Sequence, residues 1–380
     1  MTHNILFLPQ NDTHARTVLA LVPQLRTSNV GSRWLDLDDV FRQGVRDLLG
    51  DIPAVESGLA TEVPFYRSGP RHQIPIVIAA RRRARRWLSG VHGVVAFNDG
   101  AIQRVVLGAA RRSGLRTDLL LDGMITRSTL PMTISGTVKR AVRALGRALE
   151  PSGLDTFLPS EVGLSSVDRI FVAGEHSATV LRERGARAAR IVASGLPRWS
   201  DLRYPPSSRI RRVLYLTGAF GWHGDQATAR SQVEDVRELH RACGQLGLEV
   251  SVRVHPRDDA RSYLDAGIMI DDPNRSFEAA VEKADLVLSI VSTGLVEAVL
   301  MGRLARSYAT GAGWERYRSS FSGGDVFQPI TTWISLAEAL QRYRERVDPD
   351  ELRRQQVGIH DLVAARGAEA TRTIATALAV

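Results

Sequence analysis

Three observations predict an α/β chain built from two doubly wound parallel sheets. Short apolar segments of strand length alternate with helical patterns along the whole sequence, as in βαβ units. A break at Tyr204-Pro205-Pro206-Ser207-Ser208 interrupts that rhythm, and the pattern restarts beyond it. The 380 residues are too many for one ordinary core and suit two of typical size. Two Rossmann-like halves of this kind place a ligand cleft at the carboxyl ends of their strands.

In the first half, Asn4–Leu8 reads as a strand, Pro9–Asp12 as a loop and Thr17–Leu25 as a helix. Further strands are predicted at Arg33–Leu37, Gly93–Phe97, Thr117–Leu121, Arg169–Ala173 and Arg190–Ser194. The segment Met124–Ser166 departs from the alternation and reads as an insertion with one basic helix. In the second half, Val213–Thr217 is a strand, Asp225–Leu246 a long helix and Glu249–Val254 a strand ending in His255-Pro256. Ile268–Ile270, Leu286–Ile290 and Leu304–Tyr308 supply the remaining strands. The expected division is 1–203, 209–360 and a helix in 361–380 that crosses back to the first domain. No repeat of solenoid length stands out.

A hydrophobic fraction of 44% and a charged fraction of 24% are those of a soluble globular protein. Cys243 is the only cysteine, which excludes an intrachain disulfide and fits a reducing compartment. Met1–Pro9 lacks the basic and apolar regions of a signal peptide. The longest uncharged apolar runs, such as Ile74–Ala80, are far shorter than the roughly 20 residues of a membrane span. The expected location is therefore cytoplasmic.

The net charge of +9 is unevenly placed. Residues 1–203 carry 28 Lys and Arg against 18 Asp and Glu, a balance of +10, and residues 204–380 carry 22 against 23, a balance of −1. The first half is thus the one suited to an anionic partner. One basic run is Arg81-Arg82-Arg83-Ala84-Arg85-Arg86-Trp87. The other lies in 136–149, where Val138, Val142, Leu145 and Leu149 share a helical face and Lys139, Arg140, Arg143 and Arg147 lie largely opposite. That pattern suits peripheral contact with an anionic membrane, and equally a solvated helix face.

The segment from Val287 to Ala298 reads as a buried strand, a tight turn at Ser292-Thr293-Gly294 and a helix start. Open amides and hydroxyls there suit a phosphate, Gly294 permits close approach, and Glu297 lies one turn in, within reach of ribose hydroxyls. A plain capping turn is the structural alternative. His255-Pro256-Arg257 follows its strand directly, where a histidine and an arginine can neutralise a leaving phosphate. A histidine satisfied within a turn is the alternative there. Gly218, in the glycine-rich run Thr217–Gly224, permits backbone approach to a nucleotide, although the run lacks the dinucleotide fingerprint. Asn11-Asp12-Thr13-His14 follows the first strand and either touches an acceptor or is structural. Asp36-Leu37-Asp38 matches a metal pattern only formally, so no metal is expected.

The order Asp122-Gly123, His255-Pro256, Ser292-Thr293 resembles bacterial sialyltransferases and polysialyltransferases. More broadly it is similar to capsule-type glycosyltransferases and glycerophosphotransferases of the two-Rossmann, GT-B architecture. A further piece runs from Asp168 to Glu175 and on to Ser194-Gly195-Leu196-Pro197-Arg198, similar to the turn that ends the first domain in that group. The chain departs from the pattern at Leu121, where the group carries a second acidic residue.

The resemblance implies a metal-independent enzyme of polysaccharide biosynthesis, with no cofactor beyond a nucleotide-sugar co-substrate that could be a CMP-sugar. Its acceptor domain is the first half and its donor domain the second. Asp122 becomes the general base on an acceptor hydroxyl, whose deprotonation needs such a base, while a plain Asp-Gly turn pair is the structural alternative. His255 binds or protonates the donor phosphate, which Pro256, Arg257, Ser292 and Thr293 help to hold. The acceptor is a glycan, a lipid-linked molecule or a small molecule. The alternatives are a CDP-polyol phosphotransferase, a nucleotide-sugar 2-epimerase and, outside enzymes, an arginine-rich nucleic-acid-binding protein. No RNP or zinc pattern supports the last, so no nucleic-acid partner is expected.

Overall fold

A computed structural model of the protein describes residues 3–65, 68–125, 144–146, 148, 149, 154–158, 162–222, 224–317 and 326–380. The chain forms two compact units. The first comprises Met1–Ile125, Met132–Trp199 and Leu362–Val380, and the second Thr126–Pro131 and Ser200–Asp361.

The first unit holds β1 (His3–Leu8), α1 (Asp12–Thr27), β2 (Val30–Asp36), α2 (Asp38–Phe41), α3 (Val45–Leu49), β3 (Ala54–Glu56), α4 (Pro70–Trp87), β4 (Gly93–Ala96), α5 (Ala101–Arg112) and β5 (Arg116–Leu120). It continues with β6 (Arg169–Val172), α6 (Glu175–Glu183) and β7 (Arg190–Ala193). All seven strands pair in parallel in the order β3-β2-β1-β4-β5-β6-β7. The central strands are buried on both faces, so they read as unbroken apolar runs rather than alternating ones. Leu6, Leu8, Val94 and Ala96 pack in one core cluster and Ile5, Phe7, Val95 and Phe97 in another.

The second unit holds β8 (Arg212–Leu216), α7 (Gln226–Leu246), β9 (Glu249–Arg253), α8 (Arg261–Leu264), α9 (Phe277–Lys283), β10 (Leu286–Ser289), α10 (Thr293–Leu300), β11 (Leu304–Ser307), α11 (Gly311–Tyr317), α12 (Trp333–Glu345) and α13 (Pro349–Gly358). Its four strands are parallel in the order β11-β10-β8-β9. The last helix, α14 (Gly367–Ala379), packs against α1 in the first unit and places Ile374, Ala375 and Leu378 in its core.

Several elements differ from the sequence expectation. The short strand β3 was not foreseen, and Ile268–Ile270 contributes a single bridge, Ile270 to Val252, rather than a strand. The α1 helix starts at Asp12, earlier than expected, because the Asn11 side chain caps it by accepting from the His14 N–H. Residues Tyr204–Ser208, within the linker expected at Leu202–Ser208, are tied into the second unit. Tyr204 N–H donates to the Met301 carbonyl, Arg303 donates to the Pro205 carbonyl, and Ser207 donates to Asp285 at 2.6 Å. Among the described residues, no helix is long and apolar enough to cross a membrane.

Candidate active site

In an open parallel sheet, ligands gather at the strand carboxyl ends, where neighbouring connections turn in opposite directions. In the first unit that point lies between β1 and β4, and in the second between β8 and β10.

In the first unit, Asp122 follows β5 and His14 sits in the first turn of α1. His14 Nε2 lies 3.2 Å from Asp122 Oδ2. The other ring nitrogen, Nδ1, accepts from the Gln10 N–H at 3.1 Å, so the ring proton is carried on Nε2 and donated to the carboxylate. Phe97 stacks on the imidazole with centroids 4.9 Å apart and planes 15° from parallel. His14 is thereby fixed on three sides. The Asp122 side chain keeps 31% of its surface exposed. Burial works to raise the Asp122 pKa, but the hydrogen bond from His14 and the nearby Arg198 guanidinium outweigh it and hold the carboxyl below its ordinary value.

Arg198 donates to the Asp122 carbonyl through Nε at 3.4 Å and Nη2 at 3.2 Å. It is the last residue of the Gly195-Leu196-Pro197-Arg198 turn, whose other end is pressed against the C-terminal segment. Gly195 has a φ of +83°, and a Cβ there would lie 2.0 Å from the Ala365 carbonyl oxygen. Leu196 N–H donates to that same oxygen at 3.0 Å. One turn thus supports Asp122 and anchors the chain leading into α14.

In the second unit, His255 is exposed just beyond β9, and its N–H donates to Thr217 Oγ1 at 2.9 Å. Its Nδ1 accepts from the Arg257 N–H at 3.1 Å, which leaves Nε2 as the ring's donor in the neutral form. Pro256 and Arg257 are exposed beside it, and the Arg257 guanidinium lies 5.7 Å from the centre of the Trp222 ring. Trp222, which is 48% exposed, therefore adds a flat aromatic surface to the His255 loop.

Ser292 is the N-cap of α10, and its hydroxyl accepts from the Gly294 N–H at 3.1 Å. Thr293 is exposed and Glu297 half-buried one turn on. Gly294 is buried, and a Cβ there would lie 2.6 Å from Leu216 Cδ1 and 3.2 Å from the Phe277 ring. Glycine at this position lets α10 seat closely against its neighbours. Gly218 is similar, since a Cβ would lie 2.6 Å from the Phe220 ring. Its backbone is held by Gln232, whose Oε1 accepts from Gly218 N–H at 2.7 Å and whose Nε2 donates to the Gly218 carbonyl at 3.2 Å.

Two features were not singled out from sequence. Gln232 resembles a mid-helix polar residue, and only its position under the loop reveals its task. Ser289, the last residue of β10, is fully buried, and its hydroxyl has no protein partner.

The formal Asp-x-Asp pattern is a structural turn. Asp36 Oδ2 pairs with Arg46 at 2.7 Å, while Asp38 Oδ1 accepts from the Gln43 N–H at 3.0 Å. No group of three or more His, Cys, Asp or Glu among the described residues is placed to hold a metal ion. The Arg81–Trp87 run forms the end of α4, with its arginines exposed and Ala84 and Trp87 buried. The charged positions of the other basic run, Lys139, Arg140, Arg143 and Arg147, lie outside the described residues.

No protein-family model and no curated protein matches this sequence. Solved structures do. The chain is similar to the glycosyltransferase of kitacinnamycin at 12% identity and a TM-score of 0.60, covering 99% of this chain and 97% of that one. It is similar to MurG of Acinetobacter baumannii at 14% identity and a TM-score of 0.55, covering 99% of each. It is also similar to a putative UDP-N-acetylglucosamine 2-epimerase of Listeria monocytogenes at 12% identity and a TM-score of 0.61, covering 100% of this chain and 96% of that one. At these identities the likeness shows the fold, two parallel-sheet Rossmann-like domains of the GT-B type. It does not single out the sialyltransferase and capsule group.

Proposed function

We propose that the chain transfers a sugar from a nucleotide-activated donor to an acceptor hydroxyl. The observation that carries this reading is the His14–Asp122 pair, a partly exposed carboxylate held ionised at the carboxyl end of the first sheet. The acceptor binds the first unit and the nucleotide the second. Asp122 takes the hydroxyl proton as the acceptor oxygen bonds to the anomeric carbon of the donor. The bond from that carbon to the phosphate oxygen breaks, and its electron pair leaves with the nucleotide. The His255 Nε2–H and the positive dipole end of α10 receive the charge that develops there. His14 orients Asp122 and does not itself take the proton, because both of its nitrogens are engaged.

The finer reading of the donor is a pyrimidine nucleotide, with a CMP-sugar first, and rests on the Asp-Gly, His-Pro, Ser-Thr order. Thermal shifts across CMP, CDP, UDP, ADP and GDP test it. At least one pyrimidine nucleotide stabilises the protein, and a response confined to purines overturns the reading. The similarity to a UDP-N-acetylglucosamine 2-epimerase favours a second reading, epimerisation of the nucleotide sugar. Incubation with UDP-N-acetylglucosamine in the absence of any acceptor separates the two. Formation of the 2-epimer supports the second reading, and an unchanged sugar supports the first.

A further inference from the structure

We propose that Gln103, with Gln10 and Asn98, forms a subsite that binds a non-reacting hydroxyl group of the acceptor, making the acceptor a sugar or polyol. This inference rests on the transfer reading and deepens it. The subsite lies at the switch point of the first sheet. Gln10 follows β1, Asn98 follows β4, Gly100 is the N-cap of α5, and Gln103 stands in its first turn.

Three carboxamides converge on Gly100. A Cβ at that position would lie 3.0 Å from Gln103 Oε1, 3.3 Å from Asn98 Oδ1 and 3.7 Å from Gln10 Nε2. Asn98 also donates to Gln10 Oε1, and Gly100 N–H donates to Asn98 Oδ1 at 3.1 Å, which fixes two of the three groups. Gln103 is 1% exposed, yet neither its Oε1 nor its Nε2 has a partner in the protein. Two other buried carboxamides behave differently. Gln232 spans Gly218, and Gln355 both accepts from Ala305 N–H and donates to its carbonyl. A wholly unpaired buried carboxamide is costly and calls for a partner from outside the chain.

The chemistry of that partner follows from the two unpaired atoms. An acceptor atom beside a donor group is satisfied by something that both gives and receives a hydrogen bond, as a hydroxyl does. An anion would leave Oε1 unpaired. It would also approach Asp99, the residue before Gly100, whose buried carboxylate already collects the N–H groups of Gly163, Leu164 and Ser165. An apolar group would leave both atoms unpaired. The subsite also adjoins the reacting groups, because Gln10 N–H bonds His14 Nδ1 and Phe97, next to Asn98, stacks on the same ring.

Saturation-transfer NMR on the full-length protein tests this, with glycerol, myo-inositol, methyl α-D-glucopyranoside and glycerol 3-phosphate as probes. At least one uncharged polyol should show saturation in the wild type. The signal should fall about five-fold or more in Gln103→Leu and in Gly100→Ala, as expected for loss of one or two hydrogen bonds. Gly100 has a φ of −60°, which alanine adopts freely, so Gly100→Ala fills the cradle without straining the backbone. Gln103→Leu should melt no lower than the wild type, since it removes two unpaired polar atoms. Nucleotide thermal shifts should be the same in all three proteins. No polyol saturation in the wild type, saturation unchanged in both variants, saturation by glycerol 3-phosphate alone, or only a structural water at Gln103 in crystals soaked with these polyols would each overturn the proposal. Polyol binding without any nucleotide binding would overturn the transfer reading and leave the subsite standing.

Discussion

The pairing of His14 with Asp122 makes a pH prediction whose sign follows from competing effects. Burial favours the neutral carboxyl, and the bond from His14 together with Arg198 reverses that preference. A folded pKa below the unfolded one stabilises the protein above the unfolded value, and this contribution is lost as the pH falls through the folded pKa. A base held ionised in this way stays competent into acid. His14→Phe keeps a ring against Phe97 and removes the hydrogen bond, so an influence that offsets burial is lost and the Asp122 pKa rises. The acid limb of kcat/KM against pH should then move upward, and an unmoved limb would remove Asp122 as the base. Asp122→Asn should lower kcat by roughly 100- to 10,000-fold while leaving nucleotide affinity nearly unchanged. Both residues were noticed in the sequence, but their contact was not legible there. It depends on how α1 and β5 pack, which short-range spacing does not encode.

At the scale of single elements, strands were the most readable part of the chain. The buried parallel strands announce themselves as apolar runs, and β1, β4 and β10 each fall within a residue of their expected ends. The edge strand β3 was missed because its three residues are half-buried or exposed and carry no apolar run. Glycines are legible as special positions, whereas the side chains packed against them are not. Gly294 and Gly218 answer to Leu216, Phe277 and Phe220, contacts that only the folded element reveals. Gly195 makes the sharpest case. Gly195→Ala would force a Cβ into the Ala365 carbonyl and hold alanine at a left-handed φ. We expect a loss of about 3 kcal/mol, read as a lower midpoint in urea unfolding.

Across the molecule, the C-terminal helix is fastened by a buried charge cluster. Asp118 is fully buried on β5 between Arg116 and Arg169, at 3.2 Å and 2.6 Å. Both arginines also donate to the last carbonyls of α14, Arg116 to Leu378 and Arg169 to Ala377 at 2.5 Å. Asp118→Ala should cost about 3–5 kcal/mol, because it leaves two cations facing a helix end without their counterion. Hydrogen exchange should show α14 opening first. A variant whose α14 amides remain as protected as the core would contradict this role. A helix within 361–380 is expected from the sequence and found at Gly367–Ala379, whereas its fastening depends on a cluster spread over three elements. At the same scale, the Asp36–Asp38 turn is consumed by its own backbone and Arg46. Transfer activity should therefore persist in excess EDTA, and a loss restored by magnesium would overturn that expectation.

Asp99 and Arg104 have a consequence for how such a protein could diversify. Asp99 grips the amides of residues 163–165, and Arg104 grips the carbonyls of Asp155, Thr156 and Leu158. On the outgoing side, Ile125 N–H is bonded to Ser177 Oγ at 3.0 Å. The three side chains that make these bonds belong to the framework of the parallel sheet, Asp99 just before α5, Arg104 within it and Ser177 in α6. The described backbone at Ile125, 155–158 and 163–165 keeps its place only while they are kept. Variation is therefore constrained at Asp99, Arg104 and Ser177 more tightly than their distance from Asp122 in the sequence would suggest.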